Sequence, residues 1–244
     1  MTDILTVLFK VIMNHGPEKW GDESRDRFIL SKGHAAPALY AALAATGYFD
    51  LKLLGTFREY GSPLQGHPDC RKLTGIEIST GSLGQGLSVA GGIALGLRAR
   101  HIQSRIYVML GDGEIQEGQI WEAAMAIAHY KLSNIVAIVD NNSLQIDGTV
   151  EHVMNVYPID KKFEAFGWKA ITIDGHDFDA IEKAFLEALS SPRPTVVIAR
   201  TTKGKGVSFM ENRVEFHHAA NMSDLKVKEA LREIDESVRR RVHG

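Results

Sequence analysis

From residue 105 onward the chain alternates short apolar runs with longer stretches of helical period, and this rhythm leaves few folds open. Strands are expected at 105–110, 134–139, 168–174 and 195–201, with helices at about 115–131 and 177–190. Runs such as "RIYVM" and "NIVAIV" read as buried strands. The expected fold class is α/β: a parallel β-sheet built from βαβ units, with helices on both faces.

The first two of these strands stop in polar text, "LGDGEIQEG" at 110–118 and "DNNSLQIDG" at 140–148. In an open parallel sheet ligands bind beyond the carboxyl ends of the strands, which is where Gly111, Asp112, Gly113, Asp140, Asn141 and Asn142 lie. If the two strands are neighbours, their ends are roughly 5 Å apart, so Asp112 and Asn142 can touch one ion. A carboxylate oxygen, an amide oxygen and a backbone carbonyl form a hard-oxygen set suited to Mg²⁺ or Ca²⁺. That set is too weakly charged to hold Mg²⁺ alone. Phosphate oxygens are its natural complement, and a helix starting near Glu114 offers free N–H groups to an anion. GDG and DNN are each also common turn chemistry. Their pairing after two apolar strands, thirty residues apart, favours a metal-diphosphate anchor. A phosphate loop of the GxxxxGK[ST] type does not occur, and "TKGKG" at 202–206 resembles one only superficially.

Upstream, residues 2–14 have a helical period, and "SKGHAAPALYAALAATGYF" reads as an alanine-rich helix closed by Gly47. The long Gly/Pro-rich loop "GSPLQGHPDCRKLTG" points to a functional role. Glycines 84, 86, 91, 92 and 96 mark a close-packed helix whose N-terminus could face a ligand. A last helix, about 223–241, carries Val227, Leu231, Ile234 and Val238 on one stripe. One domain is expected over residues 1–244, with 1–80 forming one edge of the site. Net charge is −2 and the basic residues are scattered apart from "RRR" at 239–241, so neither nucleic acid nor an anionic membrane is an expected partner. The single cysteine, Cys70, excludes an intramolecular disulfide and a thiolate zinc cluster and fits a reducing cytosol. With no leader and no stretch of membrane-spanning length, a cytoplasmic protein is expected.

The GDG and DNN pair resembles the thiamine diphosphate motif, and its neighbours narrow the resemblance to the transketolases. "DRFILSKGHAAPALYAALAATGYF", "GSPLQGHPD", "TGSLGQGLSVAGGIALG", "GDGEIQEGQIWEA", "VDNNSLQIDG" and "TTKGKGVSFMENRVEFHH" are similar to that family, in order, over most of the chain. The resemblance covers only the family's N-terminal half, the part that binds the cofactor diphosphate. It therefore implies the N-terminal subunit of a split transketolase, with thiamine diphosphate and Mg²⁺ (Ca²⁺ or Mn²⁺ as substitutes). The implied partner is a C-terminal-half chain carrying the pyrimidine-binding domain, the two forming a heterotetramer that acts on sugar phosphates. The family's opening helix and S-G-H-P-G motif have no counterpart here, and the chain starts with residues resembling those just downstream of that motif. A start-site error, a truncation and a real variant are the readings this leaves.

By the same resemblance Asp112 and Asn142 ligate the metal with the carbonyl of Leu144. Gly111 and Gly113 let the backbone approach the diphosphate, Ile146 packs on the cofactor, and Gly81 and Leu83 contact its aminopyrimidine. His34 and His67 are implied cofactor neighbours that also hydrogen-bond the donor's hydroxyls. His217 acts near the hydroxyl deprotonated when the carbon–carbon bond breaks, with His218 as a competing choice; imidazole suits such proton transfers because it titrates near neutrality. Glu117 and Glu122 match glutamates at the contact between active sites, where a shared proton network and ordinary surface charge are both open readings. His15, His101, His129, His152 and His243 are read as ordinary histidines, and His176 and Asp177 as turn and cap residues. Another thiamine-dependent carboligase and a non-catalytic cofactor-binding protein remain the alternative functions.

Overall fold

The computed structural model describes residues 1–217 and 222–243, without side-chain detail from 240 on. Its main sheet, among the described residues, is built from β1 (Arg27–Leu30), β2 (Ile106–Gly111), β3 (Ile135–Asn141), β6 (Lys169–Asp174) and β7 (Thr195–Arg200). The strand order is β1-β2-β3-β7-β6, and every pairing is parallel. A two-stranded hairpin, β4 (Leu144–Gln145) and β5 (Gly148–Thr149), hangs from the end of β3. The helices are α1 (Thr2–Val7), α2 (Ala36–Ala45), α3 (Gln85–Ala99), α4 (Gly118–His129), α5 (Val150–Met154), α6 (Ile159–Ala165), α7 (Phe178–Leu189) and α8 (Asp224–His243).

Side chains alternate across a strand, so each strand feeds two cores. Phe28, Leu30, Tyr107, Met109, Val136, Ile138 and Val197 pack with α1, α2 and α7 on one face. Ile29, Ile106, Val108, Leu110, Ile135, Ala137, Val139 and Val196 pack with α3, α4 and α6 on the other. The parallel sheet covered on both faces agrees with the α/β expectation, and β2 and β3 are indeed neighbours, with Gly111 opposite Asp140.

Three local features differ from the sequence reading. Strand β1 was not anticipated, because four residues between charged text and a glycine turn carry too little pattern. The helix expected over 2–14 is regular only to Val7 and widens over Leu8–Ile12. There His15 Nε2 contacts the Phe9 carbonyl at 2.7 Å, a side chain entering the last turn's hydrogen-bond ladder. The helix placed at about 115–131 starts at Gly118, preceded by a tight turn over Glu114–Gln116. On α8 the stripe residues Val227, Leu231, Ile234 and Val238 are exposed, while Ala230 is buried. Among the described residues no helix is long and apolar enough to cross a membrane.

Candidate functional site

Parallel strands all end on the same side, so the loops after β1, β2, β3 and β7 converge beyond one edge of the sheet. They deliver Ser31–His34, Asp112–Glu114, Asn142–Gln145 and Thr201–Lys203 to one place. Asp112 lies at its centre and is almost fully buried. Its Oδ1 accepts the Gly113 N–H at 2.9 Å, and its Oδ2 accepts the Ser143 N–H at 2.5 Å, tying the end of β2 to the loop after β3. Asn142 is also buried, with Oδ1 accepting the Leu144 N–H at 3.0 Å. Among the described residues no three His, Cys, Asp or Glu side chains are placed to share a metal. Asp112, Asn142 and the Leu144 carbonyl are groups that could hold a cation here, a sparse set that would need further ligands from elsewhere.

Around this set lie charged side chains of both signs. Lys32 forms a buried ion pair with Asp140 Oδ2, and Thr201 Oγ1 donates to Asp140 Oδ1 at 2.6 Å. Burial pushes the Asp140 carboxyl up, but the charges of Lys32 and the Met1 ammonium, together with the hydrogen bonds from Lys32 and Thr201, outweigh it and hold that group well below the usual carboxylate range. Lys203 is half-buried; burial, and then the charge of Lys32, lower its ammonium pKa while Asp140 and Asp112 oppose them. The Lys32 and Lys203 ammonium groups and the Asp112 and Asp140 carboxylates therefore lie within one another's field. The sequence reading passed over Lys32 and Lys203; the signal available was a lysine followed by glycine just past two strand ends. His176 fixes the approach to Lys203. Its Nε2 accepts the Thr202 N–H at 2.8 Å, so Nδ1 carries the hydrogen and donates to Asp3 Oδ2 at 2.7 Å. Asp177 caps α7 as expected.

Gly111 and Gly113 lie in close contact with neighbouring side chains. A Cβ on Gly113 would lie 3.2 Å from Gln145 Cβ, and one on Gly111 would lie 3.3 Å from Lys32 Cδ. The anion-ready helix N-terminus expected near Glu114 is not there. Glu114 folds back, accepting Ser31 Oγ–H at 2.5 Å and Gly84 N–H at 2.9 Å on Oε1, and Gly111 N–H at 3.0 Å on Oε2. The start of α3 is likewise used internally, since Gly86 N–H donates to Ser31 Oγ at 3.1 Å. Glu114 is the stitch joining three loops that the sequence reading did not identify.

Burial pushes the Asp112 carboxyl up to about 6, although both backbone N–H groups and Lys32 favour its charged form. A cation against Asp112 would reverse the burial effect, so the residues present fit a metal-diphosphate group. Protons compete with such a cation below the carboxyl's pKa. Metal affinity should accordingly fall about tenfold per pH unit below roughly 6 and level off above about 7. The sign for the metal-free fold is opposite. Its carboxyl binds protons more readily than in the unfolded chain, so this group's stabilising contribution falls as pH rises through roughly 4 to 6. A Mn²⁺ titration across that range checks the first statement, and an affinity indifferent to pH would place the metal elsewhere.

The histidines occupy the rim. His34 and His217 approach each other with ring centroids 6.4 Å apart. A Cβ on Gly33 would lie 2.7 Å from Thr80 Oγ1, and one on Gly81 would lie 3.4 Å from the His67 ring, so these segments are stacked together. His67 lines a cleft of about 520 Å³ with Arg58, Gln65, Asp69, Arg71 and Lys72. Leu83 is half-buried, Ile146 is 62% exposed at the tip of the β4–β5 hairpin, Glu117 is exposed at the N-cap of α4 and Glu122 is exposed on α4. Glu117 reaches back to α3, where a Gly84 Cβ would lie 2.8 Å from its own Cβ. His15 is engaged with Phe9 and Tyr48, an ordinary structural histidine. His218 and the side chain of His243 lie outside the described residues.

Residues 1–235 match the family model described as "Transketolase, thiamine diphosphate binding domain". The chain is 43% identical over 217 residues to a 6-deoxy-6-sulfo-D-fructose transketolase subunit of Clostridium sp. strain MSTE9, covering 88% of this chain and 79% of that one. It is 42% identical over 237 residues to an apulose-4-phosphate transketolase subunit of Phocaeicola vulgatus, covering 97% and 84%. Among solved structures, transketolase from Campylobacter jejuni superposes with a TM-score of 0.87 at 35% identity, over 95% of this chain but 37% of that one. The chain thus spans most of the relatives named as subunits and little more than a third of the longer enzyme.

Proposed function

Because this chain belongs to the transketolase thiamine diphosphate-binding family, we propose that it is the N-terminal subunit of a two-chain transketolase. The reaction is transfer of a two-carbon ketol unit from a ketose phosphate to an aldose phosphate. The observation that carries it is the junction of Asp112 with the loop after β3, set between Lys32 and Lys203. Thiamine diphosphate, when bound, would supply the nucleophilic carbon that carries the ketol unit and the electron sink for the ketose bond that breaks. The names of the subunit relatives support a separate partner chain, read here as the C-terminal half within a heterotetramer. They also widen the donor class to sulfonated and branched ketoses. Cytoplasmic location and one domain with residues 1–80 at an edge of the site belong to the same proposal.

Each residue then has a task its surroundings suit. Asp112, Asn142 and the Leu144 carbonyl hold Mg²⁺, or Ca²⁺ or Mn²⁺ in its place, while Gly111 and Gly113 leave room for the diphosphate and the two lysines offset its charge. Gly81 and Leu83 present backbone and apolar surface to the aminopyrimidine, and Ile146 covers the cofactor from the hairpin. His34 and His67 hydrogen-bond the hydroxyls of the donor. His217, beside His34, takes the proton of the hydroxyl whose carbon becomes the aldehyde carbonyl and returns it to the acceptor. Glu117 and Glu122, facing outward, share protons with the neighbouring active site.

The test is ketol transfer by this chain mixed with a C-terminal-half chain, Mg²⁺ and thiamine diphosphate. Donors should include xylulose 5-phosphate, apulose 4-phosphate and 6-deoxy-6-sulfofructose. Transfer that needs both chains is the expected result. An associated pair that binds the cofactor and transfers from no ketose, or that consumes pyruvate instead, would replace this reading with the non-catalytic or the other carboligase alternative.

A further inference from the structure

Tyr157 lies outside every motif that resembles the family, yet its hydroxyl touches the residues on both sides of Asn142. It donates to Asn141 Oδ1 at 2.7 Å and lies 3.1 Å from Ser143 Oγ. A phenol has one hydrogen, so with that hydrogen on Asn141 the Ser143 hydroxyl is the donor in the second bond. Ser143 sits at φ 62°, in the left-handed region that costs a residue with a side chain. Such a conformation persists where the surroundings over-determine it. Here it serves a purpose: it aims the Ser143 N–H at Asp112 Oδ2 and the Ser143 carbonyl at the Val150 N–H, 3.0 Å away.

The phenol is mounted on firm ground. Its neighbours Val156 and Ile159 are buried in the core on the α4 and α6 face, and Lys162 Nζ donates to the Val156 carbonyl at 2.6 Å. The Tyr157 N–H donates to Asn155 Oδ1 at 2.8 Å. Motion of the loop after β3 is thereby referred to the core and not only to Asp112.

We propose that Tyr157 is a positioning residue, a latch that holds Asn141 to Ser143 so that Asn142 and the Leu144 carbonyl face the metal together with Asp112. The proposal rests on the metal-diphosphate reading of this site. Tyr157→Phe keeps the ring and removes the hydroxyl. Residues behind metal ligands are typically worth 10–100-fold in affinity, and a Kd for Mn²⁺ with thiamine diphosphate about tenfold weaker is expected. In the ligand-free chain, amide exchange at Ser143 should accelerate by a similar factor of about ten. Adding Ser143→Gly should bring the affinity back to within about threefold of wild type, because glycine takes a positive φ without the steric cost.

A Kd within about twofold of wild type, with unchanged exchange, would overturn the latch. So would a loss that Ser143→Gly does not recover, which would assign the hydroxyl a role other than holding the Ser143 backbone. A wild-type chain that fails to bind Mn²⁺ and thiamine diphosphate would overturn the site reading instead. The exchange measurement needs no ligand and still decides the latch in that case, with acceleration sustaining it and no change refuting it.

Discussion

Asparagine in place of Asp112 is expected to lower ketol transfer by the proposed two-chain enzyme at least ~10³-fold, through loss of the proposed metal ligand where outer partners alone are worth 10–100-fold. Asp112 is the one carboxylate in the donor set, and the amide oxygen of Asn142 cannot replace its charge. The side chain's shape is preserved, but one of its two atoms becomes an NH₂ facing either the Gly113 or the Ser143 N–H. The change also removes a charge that burial disfavours, its carboxyl pKa being raised to about 6. The two effects on the metal-free fold oppose each other, so its melting temperature should move by only a few degrees, about what 1 kcal/mol produces in a chain of this size. Separate titration of Mn²⁺ and a thermal melt distinguish these terms. Retained Mn²⁺ affinity in the variant would remove Asp112 from the metal site.

The second large effect is on stability. Glu114→Gln should destabilise the ligand-free chain by about 2 kcal/mol and lower its melting temperature by roughly 4–8 °C. The carboxylate accepts from three donors, Ser31 Oγ–H, Gly84 N–H and Gly111 N–H. A glutamine in either orientation sets its NH₂ against at least one of them. Burial raises the Glu114 carboxyl pKa despite those bonds, so removing the charge recovers part of the loss, which is why the expected cost stays near the low end for such a network. A variant melting within a degree of wild type would mean that water or a small shift satisfies the orphaned donor.

The readable part of this protein was the part whose signal is local. Strands β2, β3 and β7 are apolar runs with polar stops, and the stops carry Asp112 and Asn142, so both the sheet and its metal-ligand candidates could be seen in the text. What could not be seen depends on partners far away in sequence. Lys32 meets Asp140 across 108 residues, and Ser31 meets Glu114 across 83. No periodicity announces such pairs. Strand β1 is too short to show a pattern, and its identity comes from lying beside β2. Glu114 looked like a helix start because an acidic residue after GDG is what an N-terminus favours. The need of three backbone and hydroxyl donors for one buried acceptor decided otherwise. The stripe on α8 was correctly placed on one side, but periodicity gives a side and not what lies against it.

The convergence of four loops at one sheet end bears on how the chain matures. Those loops are drawn from residues 31–34, 112–114, 142–145 and 201–203, and each is fixed only when its strand has found a neighbour. Parallel pairings are long-range and must bear the loop-closure entropy first, so they form late. An intermediate with only β2 and β3 paired would own Asp112 and Asn142 but neither lysine. The cluster holding both lysines is therefore complete only when all four strands are in place, so a diphosphate ligand would act on the finished fold by mass action instead of nucleating it.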